Sequence, residues 1–349
     1  MTYDDDTVET LLQYFKMDRL NDEPGLVPPY AQNHRLRTPE GVVSFTHYEI
    51  LDIPKHIILF GDHHNEMAVT DSGGQFMLDW IVATLRKKKN ICLDLFLESR
   101  LGQDYRYLDG QGPMFGVVLK HKNIIKKFPN IRVHDINVRP KKRQFKTDVI
   151  RAVQQHYAKL DKDDMFASLL AAYMHIIFNI EPSIFDDYIY FKSTITRLRI
   201  IEKLRHDVVA QDQATYDKIR SLVEKQLTNS IFKDDKNSFF KCLFDASVTV
   251  FNEEKKFQIA RLESSLRIVL MDAYGLARIF RAFKSKDRFV GPCSTHMPLC
   301  VVYAGEHHVK VYREFIRQYF GTRVKEHQKV FDLKNKKPIL SKSFDLTEL

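Results

Sequence analysis

Two short stretches of the chain combine residue types that bind metals and move protons. HIILFGDHHN covers 56–65 and CVVYAGEHHV covers 300–309, and each runs from apolar residues into glycine, an acid and two histidines. A neutral imidazole can ligate a transition metal or act as a general base near neutral pH. A carboxylate can hold a divalent cation or orient the imidazole, and a bound cation lowers the pKa of its water towards neutrality. These residue types therefore indicate metal-assisted hydrolysis.

The second histidine of each stretch is the stronger candidate ligand. Glycine allows a sharp turn after a strand, and His64 and His308 each stand three residues beyond the glycine. We expect these two to bind the metal, with His63 and His307 as further candidate ligands. Mixed histidine and carboxylate ligands suit Mn, Fe, Co or Zn better than Mg or Ca. The expected cofactor is a divalent transition metal, and the alternative is that these are exposed or structural histidine pairs.

Carboxylates and an arginine occur at other ends of the expected strands. We expect Glu98 to ligate the metal or to act as the base, and Arg139 to stabilise an oxyanion. Asp62 and Glu306, which precede the histidines, are expected to orient the rings. The alternatives are an exposed glutamate at a strand end and a structural ion pair between Asp135 and Arg139.

Apolar runs and turn signals predict the elements that carry these residues. Strands are expected at 42–51, 56–60, 91–98, 130–138 and 299–304, with a further strand or two within 323–333. Helical spacing predicts helices between the second and third strands, at about 113–128, and at about 308–320 with Gly321 as a C-cap. Strands and helices that alternate in this way form parallel βαβ units, whose carboxyl ends meet at one ligand-binding edge of the sheet.

The central part of the chain lacks strand signals and shows helical spacing. We expect an α/β fold in which a mostly parallel sheet of βαβ units is interrupted by a large all-helical insertion between the two halves of the core. The expected divisions are an N-terminal extension at 1–41, core parts at 42–144 and 286–335, the insertion at 145–285, and a tail at 336–349. Four residues at helical spacing are expected to clamp a helix to the sheet or, alternatively, to wall the site: Asp272, Tyr274, Arg278 and Arg281. Asp94, inside the third strand, is expected to be a satisfied core residue or a partner of a ligand.

Composition limits the class of protein. The chain has 349 residues, of which 44% are hydrophobic and 28% charged, so it can bury a full core and is neither disordered nor fibrous. The best apolar stretch, 166–180, is shorter than the roughly 18 residues of a membrane span. The first residues, MTYDDDTVETL, are unlike a secretory signal, and the four cysteines lack a CxxC pair. We expect reduced cysteines and an intracellular, non-secreted location.

Clusters of basic residues account for the net charge of +9. RKKK at 86–89 and RPKKRQFK at 139–146 can attract phosphates, an acidic protein or, without sequence specificity, nucleic acid. The alternative is a solvated face at a helix end. No zinc finger or RNP sequence accompanies the charge.

The two G-x-x-H motifs, with a glutamate at the end of an intervening strand, resemble the superfamily that joins erythromycin esterases, ChaN-like haem-binding lipoproteins, and TraB and Tiki proteins. LFGDHH, DLFLE, MDAYGLARIFR and VVYAGEHH are also similar to strings in uncharacterised proteins of large nucleocytoplasmic DNA viruses. By this resemblance, Gly61, His64, Gly305 and His308 match the two motifs and Glu98 matches the glutamate. The resemblance implies hydrolytic chemistry, and it implies the host cytoplasm or the virion as the location.

Two functions remain open at this point. The first is a metal-dependent hydrolase of peptide or ester bonds, which would use the histidines and carboxylates at the sheet edge. The second is a non-catalytic viral protein that retains a hydrolase-like core and binds virion proteins, host proteins or nucleic acid. The convergence of histidines and carboxylates favours the first, and the basic surface and helical insertion favour the second.

Overall fold

One mixed sheet and a block of helices make up the part of the chain that the structure describes. The computed structural model describes residues 44–53, 55–62, 93–100, 131–139, 162–188, 194–206, 213–254, 259–283, 299–332 and 337–338. The strands are β1 (Ser44–Ile50), β2 (Lys55–Asp62), β3 (Leu93–Arg100), β4 (Ile131–Asn137), β5 (Leu299–Gly305), β6 (Val324–Asp332) and the short β7 (Lys337–Pro338). The α-helices are α1 (Lys162–Phe178), α2 (Thr194–Leu204), α3 (Gln213–Leu227), α4 (Lys236–Glu253), α5 (Ile259–Ile279) and α6 (Glu306–Phe320).

The strands lie in the order β4-β3-β5-β2-β1-β6-β7. β4, β3, β5 and β2 pair in parallel, whereas β1 pairs antiparallel with both β2 and β6. The carboxyl ends of the four parallel strands therefore share one edge, as the strand and helix pattern predicted. β1 and β2 form a hairpin, and Asp52 lies in the turn between them.

Among the described residues, the α-helices α1 to α5 lie between β4 and β5 in the chain, so the α/β fold with a helical insertion is confirmed. Within this helical region, Pro182 begins a 3₁₀ helix after α1, and α4 begins at Lys236. The predicted helices between β2 and β3 and at 113–128 lie outside the described residues, as does the basic run at 86–89. No helix in the described part of the chain is long and apolar enough to cross a bilayer.

A hydrophobic core fills the space between one face of the sheet and the helices. The sheet contributes four fully buried side chains, those of Ile57, Leu59, Phe96 and Val302. Alternation along a strand sends every second side chain to this face, and Asp94 and Glu98 of β3 belong to the same set as Phe96. Both carboxylates therefore point towards the helical layer, where they are buried.

Helix α6 begins at Glu306, two residues before the predicted start near His308. Gly305 is its N-cap, with φ −57° and ψ 144°, and Glu306 in the first turn suits the positive end of the helix dipole. Gly321 ends the helix with φ 54°, a left-handed conformation that glycine adopts without strain. The two Gly-acid-His-His sequences, at 61–64 and 305–308, are called the first and second tetrads. The acid and both histidines of the second tetrad therefore lie inside the helix instead of in a turn before it.

Candidate functional site

The ends of β3 and β5 meet at the edge where the sequence placed its candidate residues. β3 and β5 are neighbours, and the chain leaves β3 for β4 on one side while it leaves β5 for α6 and β6 on the other. Connections that leave neighbouring parallel strands in opposite directions create the crevice in which open α/β sheets bind ligands. Glu98 lies at the β3 side of this point, and His308 lies in the first turn of α6 on the β5 side.

His308 lies between two carboxylates. Its Nδ1 is 2.7 Å from Oδ1 of Asp272 on α5, and its Nε2 is 3.5 Å from Oε1 of Glu98. His308 as a whole residue is 3% exposed and Asp272 is 0% exposed, so the hydrogen bond between them is shielded from water. Burial alone would lower the pKa of His308, but the charges of Asp272 and Glu98 outweigh it and raise this pKa to about 9. The ring is therefore protonated at neutral pH in the chain as it stands.

Glu98 accepts hydrogen bonds on both of its oxygens. Arg139 donates to Oε1 at 2.7 Å, and the backbone N–H of Gly305 donates to Oε2 at 2.8 Å. Burial raises the pKa of Glu98, but His308, Arg139 and Gly305 together hold it well below its usual range. Arg139 also donates to Asn137 at 3.0 Å. The structure thus brings Glu98, Arg139 and His308 into one contiguous network.

The spacing of the two candidate ligand atoms suits one metal ion. Two atoms that each bind a tetrahedral metal at about 2.1 Å lie roughly 3.4 Å apart, which is close to the 3.5 Å between Nε2 of His308 and Oε1 of Glu98. Asp272 accepts from the other ring nitrogen, as carboxylates do behind metal-bound histidines. In the described part of the chain, no group of three or more His, Cys, Asp and Glu side chains could hold a metal. A metal would therefore need at least one donor from beyond the described residues.

The first tetrad is not the local equivalent of the second. β2 extends through Asp62, which is in register with Gly305, and Gly61 is in register with Ala304. Gly61 therefore lies inside a strand, whereas Gly305 caps a helix. The side chain of Asp62 and the whole of His63 and His64 lie outside the described residues, so their expected roles stay predictions.

Within the described residues, Glu306 is not the carboxylate that orients His308. Its carboxylate accepts hydrogen bonds from Ser44 of β1 and, at 2.6 Å, from Arg313 of α6. The orienting carboxylate of His308 is Asp272. The reason is geometric: Glu306 is the first residue of α6 and lies over Gly61 and Ser44, while His308 lies further round the helix and faces α5. Glu306 fixes the start of the helix to β1 and β2.

His307 faces the helical insertion. Its Nδ1 is 3.3 Å from a carboxylate oxygen of Glu254, which directly follows α4, and Lys310 lies 3.4 Å from the other oxygen. The side chain of His307 is 26% exposed, compared with 4% for His308. The two adjacent histidines therefore have different surroundings.

A second polar network lies on the same face of β3, four residues before Glu98. Arg132 donates two hydrogen bonds to Asp94, at 2.7 and 2.9 Å, and Nε2 of His134 lies 2.8 Å from the same carboxylate. Arg278 of α5 approaches Nδ1 of His134 to 3.1 Å. Burial and the nearby arginines outweigh Asp94 and lower the pKa of His134 to about 4. Its ring is therefore neutral, with the proton on Nε2, and Arg278 clamps α5 to the sheet as expected.

Several residues of the site were not identified from sequence. The sequence predicts that Asp272 clamps a helix to the sheet or walls the site, but it does not predict the contact with His308. It does not identify Ser44, Arg313 or Tyr312. Tyr312 follows His308 by four residues, a spacing that places both on one face of α6. That spacing is the signal that identifies it.

Comparisons with family models, with curated proteins and with solved structures found no match for this chain.

Proposed function

We propose that this chain is a metal-dependent hydrolase of peptide or ester bonds, with its site at the carboxyl edge of the parallel strands. The observation that carries the proposal is the pair formed by Glu98 Oε1 and His308 Nε2, which are 3.5 Å apart while Asp272 holds the other nitrogen of the ring. His64 is the proposed third ligand, since it follows β2, the neighbour of β5. The resemblance of the two G-x-x-H motifs supports the same assignment.

A bound Mn, Fe, Co or Zn ion would supply a Lewis acid and a water of lowered pKa at this edge. The chain's own residues would orient the side chains that hold the ion. Asp272 holds the ring so that Nε2 faces Glu98, and Gly305 fixes the second oxygen of Glu98. Arg139, whose side chain is 24% exposed, is the charged group of the network nearest to solvent. It is the group proposed to stabilise negative charge on a substrate oxygen.

Metal binding by protein purified without an affinity tag tests this proposal. We expect elemental analysis to find a transition metal, and titration calorimetry with Co²⁺ or Zn²⁺ to give one site that His308→Ala, Glu98→Gln and His64→Ala each weaken by tenfold or more. The matched control is His307→Ala, next along the chain and paired with Glu254. The absence of metal binding, or equal binding in all four variants, would overturn the proposal.

A second function is favoured by the pairing of Glu98 and His308. Both oxygens of Glu98 and both nitrogens of His308 face a partner, and the charges of Asp272, Glu98, His308 and Arg139 balance. Such a network suits a structural clamp in a non-catalytic protein that binds virion proteins, an acidic host protein or nucleic acid. This function predicts that His308→Gln and Glu98→Gln lower stability while salt-sensitive partner binding is unchanged. Hydrolase activity against a panel of peptide and ester substrates would contradict it.

A further inference from the structure

Tyr312 of α6 lies one helical turn beyond His308 and is 0% exposed. Residues four apart on a helix share a face, so its ring points to the same side as His308, towards α5. Its hydroxyl makes no hydrogen bond of ordinary geometry within the described residues, and the same holds for Oδ2 of Asp272. Two buried polar atoms, one a donor and one an acceptor, are thus left over beside one histidine.

The hydroxyl of Tyr312 approaches the carboxylate of Asp272. Burial raises the pKa of Tyr312 well above its ordinary value, and Asp272 raises it further through its charge and through the approach of the hydroxyl to its carboxylate. The phenol therefore stays protonated and can donate to Oδ2 of Asp272, for which the described residues provide no other donor. Buried donors and acceptors that stay unpaired destabilise a fold, so direct pairing, or pairing through one water, is favoured.

Gly275 of α5 makes room for this hydroxyl. A Cβ atom at position 275 would overlap the phenolic oxygen of Tyr312 and would lie 3.1 Å from Cζ. Glycine inside a helix is otherwise unfavourable compared with alanine. The missing side chain on α5 therefore lets the tyrosine of α6 reach the carboxylate three residues earlier on α5.

We propose that Tyr312 is a positioning residue whose hydroxyl donates to Oδ2 of Asp272 and thereby fixes the carboxylate that holds His308. Asp272 then accepts one hydrogen bond on each oxygen, from Tyr312 and from Nδ1 of His308. With both oxygens engaged, the carboxylate cannot rotate, and the imidazole keeps Nε2 directed at Glu98. Gly275 belongs to the same device because it admits the hydroxyl. This inference deepens the proposed hydrolase site and rests on it for its functional meaning.

The hydrogen bond between His308 and Asp272 can be observed directly in metal-free protein. A ring N–H that donates to a buried carboxylate at 2.7 Å gives a strongly downfield proton resonance, which His308→Gln assigns. We expect Tyr312→Phe and Gly275→Ala each to shift or broaden this resonance. Tyr319→Phe is the matched control, since it removes the same group from the same helix where the hydroxyl faces Asp235 at 3.4 Å. An unchanged resonance in both test variants would overturn the proposal, even if their melting temperatures fall.

A metal titration separates the failure of this inference from the failure of the proposed function. If the site binds a metal, Tyr312→Phe is expected to weaken Co²⁺ affinity by about tenfold and to change the absorption spectrum of the bound ion. If the chain binds no metal, the proposed function fails while the resonance still tests the role of Tyr312. Equal Co²⁺ affinity and an identical spectrum in Tyr312→Phe and Tyr319→Phe would contradict positioning.

Discussion

Nδ1 of His308 and Oδ1 of Asp272 lie 2.7 Å apart and join α6 to α5. A similar connection joins α5 to the sheet through His134, which contacts Arg278 of α5 and Asp94 of β3. Because His308 also faces Glu98 of β3, helix α5 is connected to one strand at two points through two histidines. The surroundings of the rings differ: two carboxylates face His308, whereas an arginine and a carboxylate that is already paired face His134. The first ring is protonated and the second is neutral.

The protonation of His308 predicts a loss of stability at alkaline pH. Its pKa is raised from 6.5 to about 9, so its contribution is fully present below pH 6.5 and is lost as the pH rises through 9. The free energy of unfolding should fall by up to roughly 1.4 kcal/mol per pH unit in this window. Urea unfolding of metal-free protein between these pH values measures the slope. His308→Gln should flatten it, and an equal slope in both proteins would show that another group is responsible.

Asp272→Asn should shift this alkaline loss to lower pH. The amide keeps an acceptor for the ring but removes the charge that raises the pKa of His308. We expect the unfolding free energy at neutral pH to fall by about 1–3 kcal/mol. Asp245→Asn is the matched control because Asp245 forms a partly exposed pair with Lys241 on α4, where a loss under about 1 kcal/mol is expected. Similar losses in the two variants would contradict the role given to Asp272.

The neutral state of His134 predicts a loss of stability in mild acid. Its pKa is lowered from 6.5 to about 4, so the unfolded chain binds a proton that the folded chain does not, and stability decreases as the pH falls from 6.5 towards 4. His134→Gln should remove this part of the acid dependence, because glutamine does not titrate in this range. Its amide can still donate to Asp94 and accept from Arg278. The exposed His206, changed to Gln, serves as the control. Unfolding curves at several pH values make the comparison, and no difference between the two variants would refute the assignment.

The sequence was informative about the strands and about the edge they share, for a physical reason. Apolar runs such as the one ending at Glu98 require cover on both faces, and parallel strands then bring their carboxyl ends together. Glu98, Arg139 and His308 could therefore be named before their contacts were known. Periodicity assigns a residue to a face of its own helix but not to a neighbouring element. The bond from His308 to Asp272 depends on the path of the insertion, which no local pattern encodes.

The likeness of the two tetrads in sequence also did not predict their local structures. The same letters followed apolar runs in both places, yet Gly61 continues a strand and Gly305 caps a helix. The carboxylate of Glu306 occupies the space that a side chain at position 61 would need. A glycine can be required by its own backbone angles or by a distant side chain, and sequence does not distinguish the two cases.

The last prediction concerns the lack of space for a side chain at Gly61. A Cβ atom there would overlap the carboxylate of Glu306 and the hydroxyl of Ser44, and would lie 3.0 Å from Cδ of Glu306. Gly61→Ala should therefore lower the unfolding free energy by about 1–3 kcal/mol, as overpacking does in buried sites. In a Glu306→Ala background the carboxylate is absent and the Ser44 hydroxyl can rotate away, so the same change should cost about 1 kcal/mol less. A double-mutant cycle from urea unfolding measures this coupling.

Gly321→Ala provides the control for that cycle. Gly321 has φ 54° and no neighbour within 4 Å of an added Cβ, so alanine there meets backbone strain alone, at about 1 kcal/mol. This cost should be the same with or without Glu306, because the strain is local to the end of α6. Coupling at Gly61 and none at Gly321 would show that the first glycine is retained for space. Equal costs of Gly61→Ala in both backgrounds would instead mean that the backbone of β2, and not the side chain of Glu306, requires glycine.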